Sequence, residues 1–521
     1  MTKKHNNLII YFRTQLFVLM AIATLVSHKL SANNITVSNV SLTGQNTTSG
    51  TNNSANFCYV QFDINWENSW RTSSGSSNWD AAWVFVKYRK SGTVLWNHAT
   101  LNTTASNHTA PTGSTISQSD GTGIFIYRSA NGTGTFSLTD LELRWQYAAD
   151  GLLDSNTVEI AVQGIEMVYV PQGAFAAGSG GSEANKFTLT TINTGTATTA
   201  PSGTGAKGGA AGGYPTSQTA PSNATWPNGY NAFYCMKYEI SQEQYVDFLN
   251  KLTRDQQNER TSTSLGSGTT SVTNRYVMCN GSTMQYRNGI RCDATIHTSN
   301  PITFYCDFDG DGTGNESTDG QNIACNWLGW SHVAAYLDWS GLRPMTELEF
   351  EKACRGDQTP VANEYAWGST SIAKSTGISN SGLHNETTST SGANTIYDAG
   401  STSDGPLRTG SFASTATTRV QAGATYYGIM DMSGNVWERT VTIGNVTGRN
   451  FTGAHGDGVI TSAGAADVSN WPGTNAIGIG FRGGVWSFND FYLLVSNRSV
   501  ASSTDAVSRY YMSGRGIRTA P

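Results

Sequence analysis

"AAYLDWSGLRPMTELEFEKACRG", residues 334–356, reads as the end of one helix, a sharp break and a second helix complete with both of its boundaries. The first helix runs through "WSHVAAYLDWSG" and stops at Gly341. In the second, Thr346 and Glu349 form a capping box, so each side chain satisfies a backbone amide that the first turn leaves open, and Gly356 stands past the end. Moving upstream, Ser241 and Gln244 repeat the same box in front of Tyr245, Phe248, Leu249 and Leu252 at helical spacing. Moving downstream, the helices stop at Gly356 and give way to Gly-, Ser- and Thr-rich loops with short apolar pieces. A few capped helices set in long loops predict an irregular α+β domain rather than a repeat array.

The region ahead of it is of a different kind. "VQFDINW" alternates Val60, Phe62, Ile64 and Trp66 with polar residues, and "DLELRWQY" does the same with Leu141, Leu143, Trp145 and Tyr147. Period-two alternation marks strands with one buried face. "AWVFVKY", Ala82 to Tyr88, is apolar on both faces and suits a central strand. The chain is thus expected to place an all-β sandwich at 33–164 before the α+β domain at 165–521. Within the latter, about 180–225 is rich in Gly, Thr, Ala and Pro with almost no large apolar group, which predicts a flexible insertion; an interdomain linker is the alternative.

Residues 1–32 carry Lys3, Lys4 and Arg13, then the apolar run Leu16–Val26, then polar residues up to Ala32. The run is too short to span a bilayer, which predicts a secretory signal peptide; an uncleaved anchor is the rival. The protein is then extracellular, at the cell surface or periplasmic, with no membrane span in the mature chain. Of its 521 residues 13% are charged, with a net charge of -5 and no Lys/Arg run, which argues against nucleic acid as a partner. The 14 Trp, 22 Tyr and 19 Phe are enough to fill real cores.

Seven cysteines suit an exported chain. Cys279 and Cys292 flank a segment containing Asn288-Gly289, a hairpin-turn signal, and Cys306 and Cys325 bracket an acidic loop, so two disulfides are expected. With Cys58, Cys235 and Cys354 left over, at least one thiol stays free. No C-x-x-C, G-x-S-x-G, H-E-x-x-H or P-loop occurs. "HGDG" at His455–Gly458 reads as loop structure rather than as a site.

The ordered set "MVYVPQGAF", "YEISQEQYVDFLN", "AAYLDWSGLRPMTELEFEKACRG", "YAWG", "YGIMDMSGNVWERT", "FRGGVW" and "GRGIRTA" resembles the sulfatase-modifying-factor family, the formylglycine-generating enzymes. The resemblance covers about 165–521 outside the insertion and the acidic loop. It implies a formylglycine-generating-enzyme-like domain with a C-type-lectin-like core steadied by calcium. It also implies copper held by two thiolates shortly after the motif seen here as Gly483-Gly484-Val485-Trp486. The sequence departs at that point, because no cysteine follows Cys354 and "SFNDFYLLVSNRS" offers no soft ligand for Cu(I). Copper and formylglycine formation are therefore not expected.

Calcium is the better signal. The family's ligands map onto Asp431, the carbonyls of Gly434 and Val436, and Glu438, an oxygen set that Ca²⁺ accepts; a local capping or pairing role for Asp431 and Glu438 is the plain alternative. A second candidate is Asp307, Asp309 and Asp311 ahead of Gly312, spaced as in an EF-hand loop but with Thr318 where the bidentate Glu belongs. Phe488, Asn489, Asp490, Phe491, Tyr492, Tyr510 and Tyr511 suit recognition of a glycan or a protein at the cell surface, with Trp486 and Leu494 expected in the core. The leading expectation is a non-catalytic, exported ligand-binding or surface-structural protein. The alternatives are an enzyme of the same superfamily with a different oxidative activity, or a component of cell-envelope secretion or motility assemblies, self-assembly included.

Overall fold

The computed structural model describes residues 35–118, 120–196, 220–399, 404–413 and 418–521. The leader expected at 1–32 and residues 197–219 of the expected insertion lie outside the described residues. The chain divides into two compact units: one comprises 35–72 and Trp79–Glu166, the other Ser73–Asn78 and Met167–Ala520.

In the first unit, strands Thr36–Asn46, Phe57–Arg71 and Gly132–Trp145 form an antiparallel sheet, with Phe57–Arg71 in the middle. Alternate residues Val60, Phe62, Ile64 and Trp66 are buried, as period two requires. Asp140 interrupts the register as a bulge with φ +57°, and its amide donates to Asp63 Oδ1 at 2.9 Å. A second sheet contains Asp80–Lys90, paired to Ile124–Arg128, which in turn pairs to Ser114–Ser117. Asp80–Lys90 is buried on both faces over most of its length. Val60, Phe62 and Trp66 of the first sheet share one core with Val84, Val86 and Ile126 of the second. Buried Asp80 is satisfied by Trp66 Nε1 at 2.9 Å and Ser69 Oγ at 2.8 Å.

The second unit contains little regular structure. Strand Phe233–Met236 lies between Met167–Val170, at the end of strand Val158–Val170, and Ile517–Thr519. A second small sheet pairs Met345–Thr346 in parallel with Glu438–Val441, which is antiparallel to Ile479–Arg482. Helix α1 (Gln242–Leu249) and its Ser241/Gln244 box form as the sequence predicts. Helix α2 (Arg254–Glu259) opens on a further box, Thr253 with Gln256. Helices α3 (Trp330–Trp339) and α4 (Glu347–Arg355) follow, α4 with the Thr346/Glu349 box and Gly356 as its C-cap. Beyond Gly356, where no helix is expected from the sequence, the described residues add the short helix Val446–Arg449 and the helical turn Asp490–Leu493. Among the described residues no helix is long and apolar enough to cross a membrane.

The disulfide expectation is corrected. Cys279, Cys292, Cys306 and Cys325 are free thiols, as are Cys58, Cys235 and Cys354. Asn288-Gly289 does not join two strands that would bring Cys279 to Cys292; it closes a short turn with Gln285. Cys279 sits instead in a tight Tyr276–Gly281 turn with its Sγ 3.4 Å from Tyr276 O, while the strand of Cys292 pairs with Phe304–Cys306. Cys325 Sγ is taken up by the carbonyl of Asn326 at 3.7 Å. Burial pushes the Cys292 thiol up to about 11 and those of Cys58 and Cys235 to about 12, so these thiols stay protonated at neutral pH.

Candidate functional site

Helix α4 is polar along its sequence yet every residue in it is buried. The reason is a set of guanidiniums, Arg343 and Arg355 from the helix and its approach and Arg482 and Arg498 from a distant segment. Glu347 accepts from Arg482 Nη1 at 3.0 Å and Arg498 Nε at 2.6 Å. Glu351 takes Arg482 Nη2 at 2.9 Å and Arg355 Nη1 at 3.2 Å; Glu349 takes Arg343 Nη2 at 2.7 Å; and Glu364 takes Arg355 Nε. Four carboxylates thus meet four guanidiniums. Burial by itself raises the Glu347 pKa, but Arg498, Arg482 and Thr442 outweigh it and hold the carboxyl below its ordinary 4.5.

The segment Asp431–Glu438 is arranged otherwise. Asp431 has φ +61°, and its Oδ2 accepts the Gly410 amide at 2.6 Å. Gly434 has φ +107°, and a Cβ there would run into Thr395 Oγ1 and Ile396 O, so the turn admits only glycine. Glu438 opens its strand fully buried, with Oε1 2.7 Å from Arg515 Nε and Oε2 without any partner. Glu239 joins them from the residues ahead of α1, accepting Val436 N at 3.1 Å and Asn435 Nδ2 at 2.5 Å. Among the described residues no hydrogen-bond donor reaches the carbonyl oxygens of Gly434 and Val436. Among the described residues, Arg515 is the one guanidinium hydrogen-bonded to any of these three buried carboxylates, and it bonds Glu438. Burial raises the pKa of all three, and Asp431 adds to the rise at Glu239. A buried carboxylate oxygen without a partner is costly, and so is a local surplus of like charge. By donor type, Asp431, Glu438 and the two free carbonyls are the oxygen ligands that a hard cation takes. Glu239 was not singled out in the sequence; its only signal is its place two residues before the Ser241 cap.

The aromatic residues come together. The Phe491 and Tyr492 rings lie 5.4 Å apart, Tyr492 and Phe488 5.7 Å, Phe488 and Tyr511 5.3 Å, and Tyr511 and Tyr510 4.8 Å. Tyr510 then stacks on Tyr286 at 4.0 Å, and both neighbour Trp327, two rings the sequence reading missed. The band rests on buried Trp437 and Trp486. Phe491 is 39% exposed and the other four named rings are half-buried. Asn489 is exposed, and Asp490 starts the short helical turn Asp490–Leu493 and accepts Tyr365 Oη at 3.4 Å. Leu494, expected in the core, is half-buried; Leu493 takes that place because it packs against the flat side of Gly484.

Asp307, Asp309 and Asp311 also converge, with ligand oxygens within 4.8 Å of one another. His455 is a loop residue: burial, then Arg518 and Arg343, push its pKa down to about 2, so the neutral ring accepts the Thr519 amide at 3.0 Å.

The family model for the Sulfatase-modifying factor enzyme 1-like domain matches residues 154–510, and the chain belongs to that family. A comparison with curated proteins finds no match.

Proposed function

We propose that this is an exported, non-catalytic member of its family that binds a glycan or a protein at the cell surface, on a C-type-lectin-like domain preceded by a β-sandwich. The single observation that carries this reading is the aromatic band. Directly after Gly483-Gly484-Val485-Trp486, Phe488, Phe491 and Tyr492 join Tyr510 and Tyr511 in one unbroken run of contacting rings, flanked by Asn489 and Asp490. Rings of this kind offer contact area at little entropic cost, and neighbouring amides and carboxylates supply orientation. No thiol follows Cys354 in the sequence to bind Cu(I) there.

Calcium belongs to the same reading. Held by Asp431, Glu438 and the carbonyls of Gly434 and Val436, it would offset the carboxylate surplus and fix the loop that leads into Glu438–Val441, on which Trp437 and the band above it rest. Its part is structural.

The test has two arms. Incubation with copper, oxygen and a sulfatase-type cysteine peptide yields no aldehyde, and detectable conversion overturns the non-catalytic reading. Binding to immobilised glycans and to intact cell surfaces is abolished by the double change Phe491→Ala and Tyr492→Ala, while the melting temperature shifts by no more than about 1 kcal/mol equivalent. Undiminished binding by that variant moves the recognition surface elsewhere.

A further inference from the structure

The acidic loop after strand Phe304–Cys306 holds more than its three regularly spaced aspartates. Asp307 is fully buried; one oxygen pairs with Arg291, and Oδ1 is buried without a partner. Its ligand oxygen lies within 4.8 Å of those of Asp309 and Asp311, both on the surface. Gly312, sixth from Asp307, has φ +95° and turns the chain back. The twelfth position fails as a ligand: Thr318 donates its hydroxyl to Asp309 Oδ2 at 2.7 Å. The next residue, Asp319, is also fully buried. Its Oδ2 accepts the Glu316 amide at 2.6 Å, while its Oδ1 is buried with no partner. Thr318, the residue before it, is bonded to Asp309, which ties Asp319 to the loop that carries the other aspartates.

The loop thus carries two orphaned, buried carboxylate oxygens and two exposed carboxylates. Arg291 forms its ion pair with Asp307, and among the described residues no other ion pair reaches Asp307, Asp309, Asp311 or Asp319. From this we infer that Asp307, Asp309, Asp311 and Asp319 bind one Ca²⁺, with Asp319 supplying the carboxylate that the usual loop takes from a glutamate at its twelfth position. Several carboxylates on a glycine-turned loop suit Ca²⁺, which accepts irregular oxygen shells, better than Mg²⁺, which demands near-octahedral ones. The inference is independent of the ion proposed at Asp431 and Glu438, and each site has its own variants.

The full chain, stripped of metal, is titrated with Tb³⁺ and then Ca²⁺, reading luminescence sensitised by Tyr305 and Tyr276, whose side chains lie against Gly314 and Gly310 of the loop. Bound Ca²⁺ is counted by equilibrium dialysis. The double change Asp309→Asn and Asp311→Asn, at surface positions, is expected to lose one equivalent of Ca²⁺ and part of the Tb³⁺ signal. Asp319→Asn is expected to weaken that equivalent by about tenfold. Glu438→Gln leaves this component untouched, so the two sites fail separately. A double variant that keeps the parent's stoichiometry and signal overturns the inference, and an unchanged affinity in Asp319→Asn removes Asp319 from the site.

Discussion

Two buried charged clusters lie within the same domain and follow opposite rules. Around α4, Glu347, Glu349, Glu351 and Glu364 are matched one for one by Arg343, Arg355, Arg482 and Arg498. Around Gly434, Glu239, Asp431 and Glu438 share one hydrogen-bonded guanidinium, that of Arg515. The first cluster is complete as the chain supplies it; the second is short of positive charge. Burial alone does not separate a structural ion pair from a binding site, but the charge balance does.

The largest effect expected is on the balanced side. Glu347→Gln leaves Arg482 and Arg498 short of their shared counter-charge in a dry interior, which costs about 3–5 kcal/mol by denaturant melt, the same with or without calcium. A calcium-dependent cost would erase the distinction between the clusters.

On the unbalanced side, calcium at a hundred times its dissociation constant stabilises the parent by about 2.7 kcal/mol, and Glu438→Gln loses most of that response. Any chelator response left in this variant belongs to the loop at Asp307–Asp319.

Asp431→Asn is a sharper probe. The amide keeps an oxygen for the Gly410 N–H and tolerates the left-handed backbone, so in metal-free buffer the variant melts within about 1 kcal/mol of the parent or above it. With calcium present it melts below the parent. An equal loss in both buffers would mean that Asp431 is merely a hydrogen-bonding residue.

The smallest and most diagnostic effect is in the sign of the pH dependence. Glu347 is held below its ordinary 4.5, so its contribution is present above that pH and is lost as the pH falls through its folded value. Glu239, Glu438 and Asp431 are raised above 4.5, 4.5 and 3.8, so in metal-free protein their contribution falls as the pH climbs from those values through the folded ones. The gap between calcium-loaded and metal-free melting temperatures therefore closes as the pH is lowered toward about 4, at a fixed excess of calcium.

What could be read in the sequence was local. The box at Thr346 and Glu349 and the alternation through Val60–Trp66 involve residues a few positions apart, and both form as expected. The family was legible from ordered motifs, and Asp431, Gly434, Val436 and Glu438 from one of them. Glu239 was not, because Asn435, which it meets, lies 196 positions away. Tyr286 and Trp327 were missed for the same reason: they reach Tyr510 from the far side of the domain. The disulfides failed because flanking a turn signal says nothing about where side chains point; Cys279 faces its own turn while Cys292 serves a different strand pair.

Strand Phe233–Met236 has consequences for the order of assembly. It is completed on one side by Ile517–Thr519, and Arg515, the counter-ion of Glu438, bonds the carbonyl of Met236 across 279 positions. Neither the sheet nor the charged loop can close until that distant segment has been synthesised and delivered. So late a closure makes folding slow and governed by non-local contacts. It also leaves any copy truncated before Arg515 with an open sheet edge and an unpaired Glu438, a natural target for quality-control proteases.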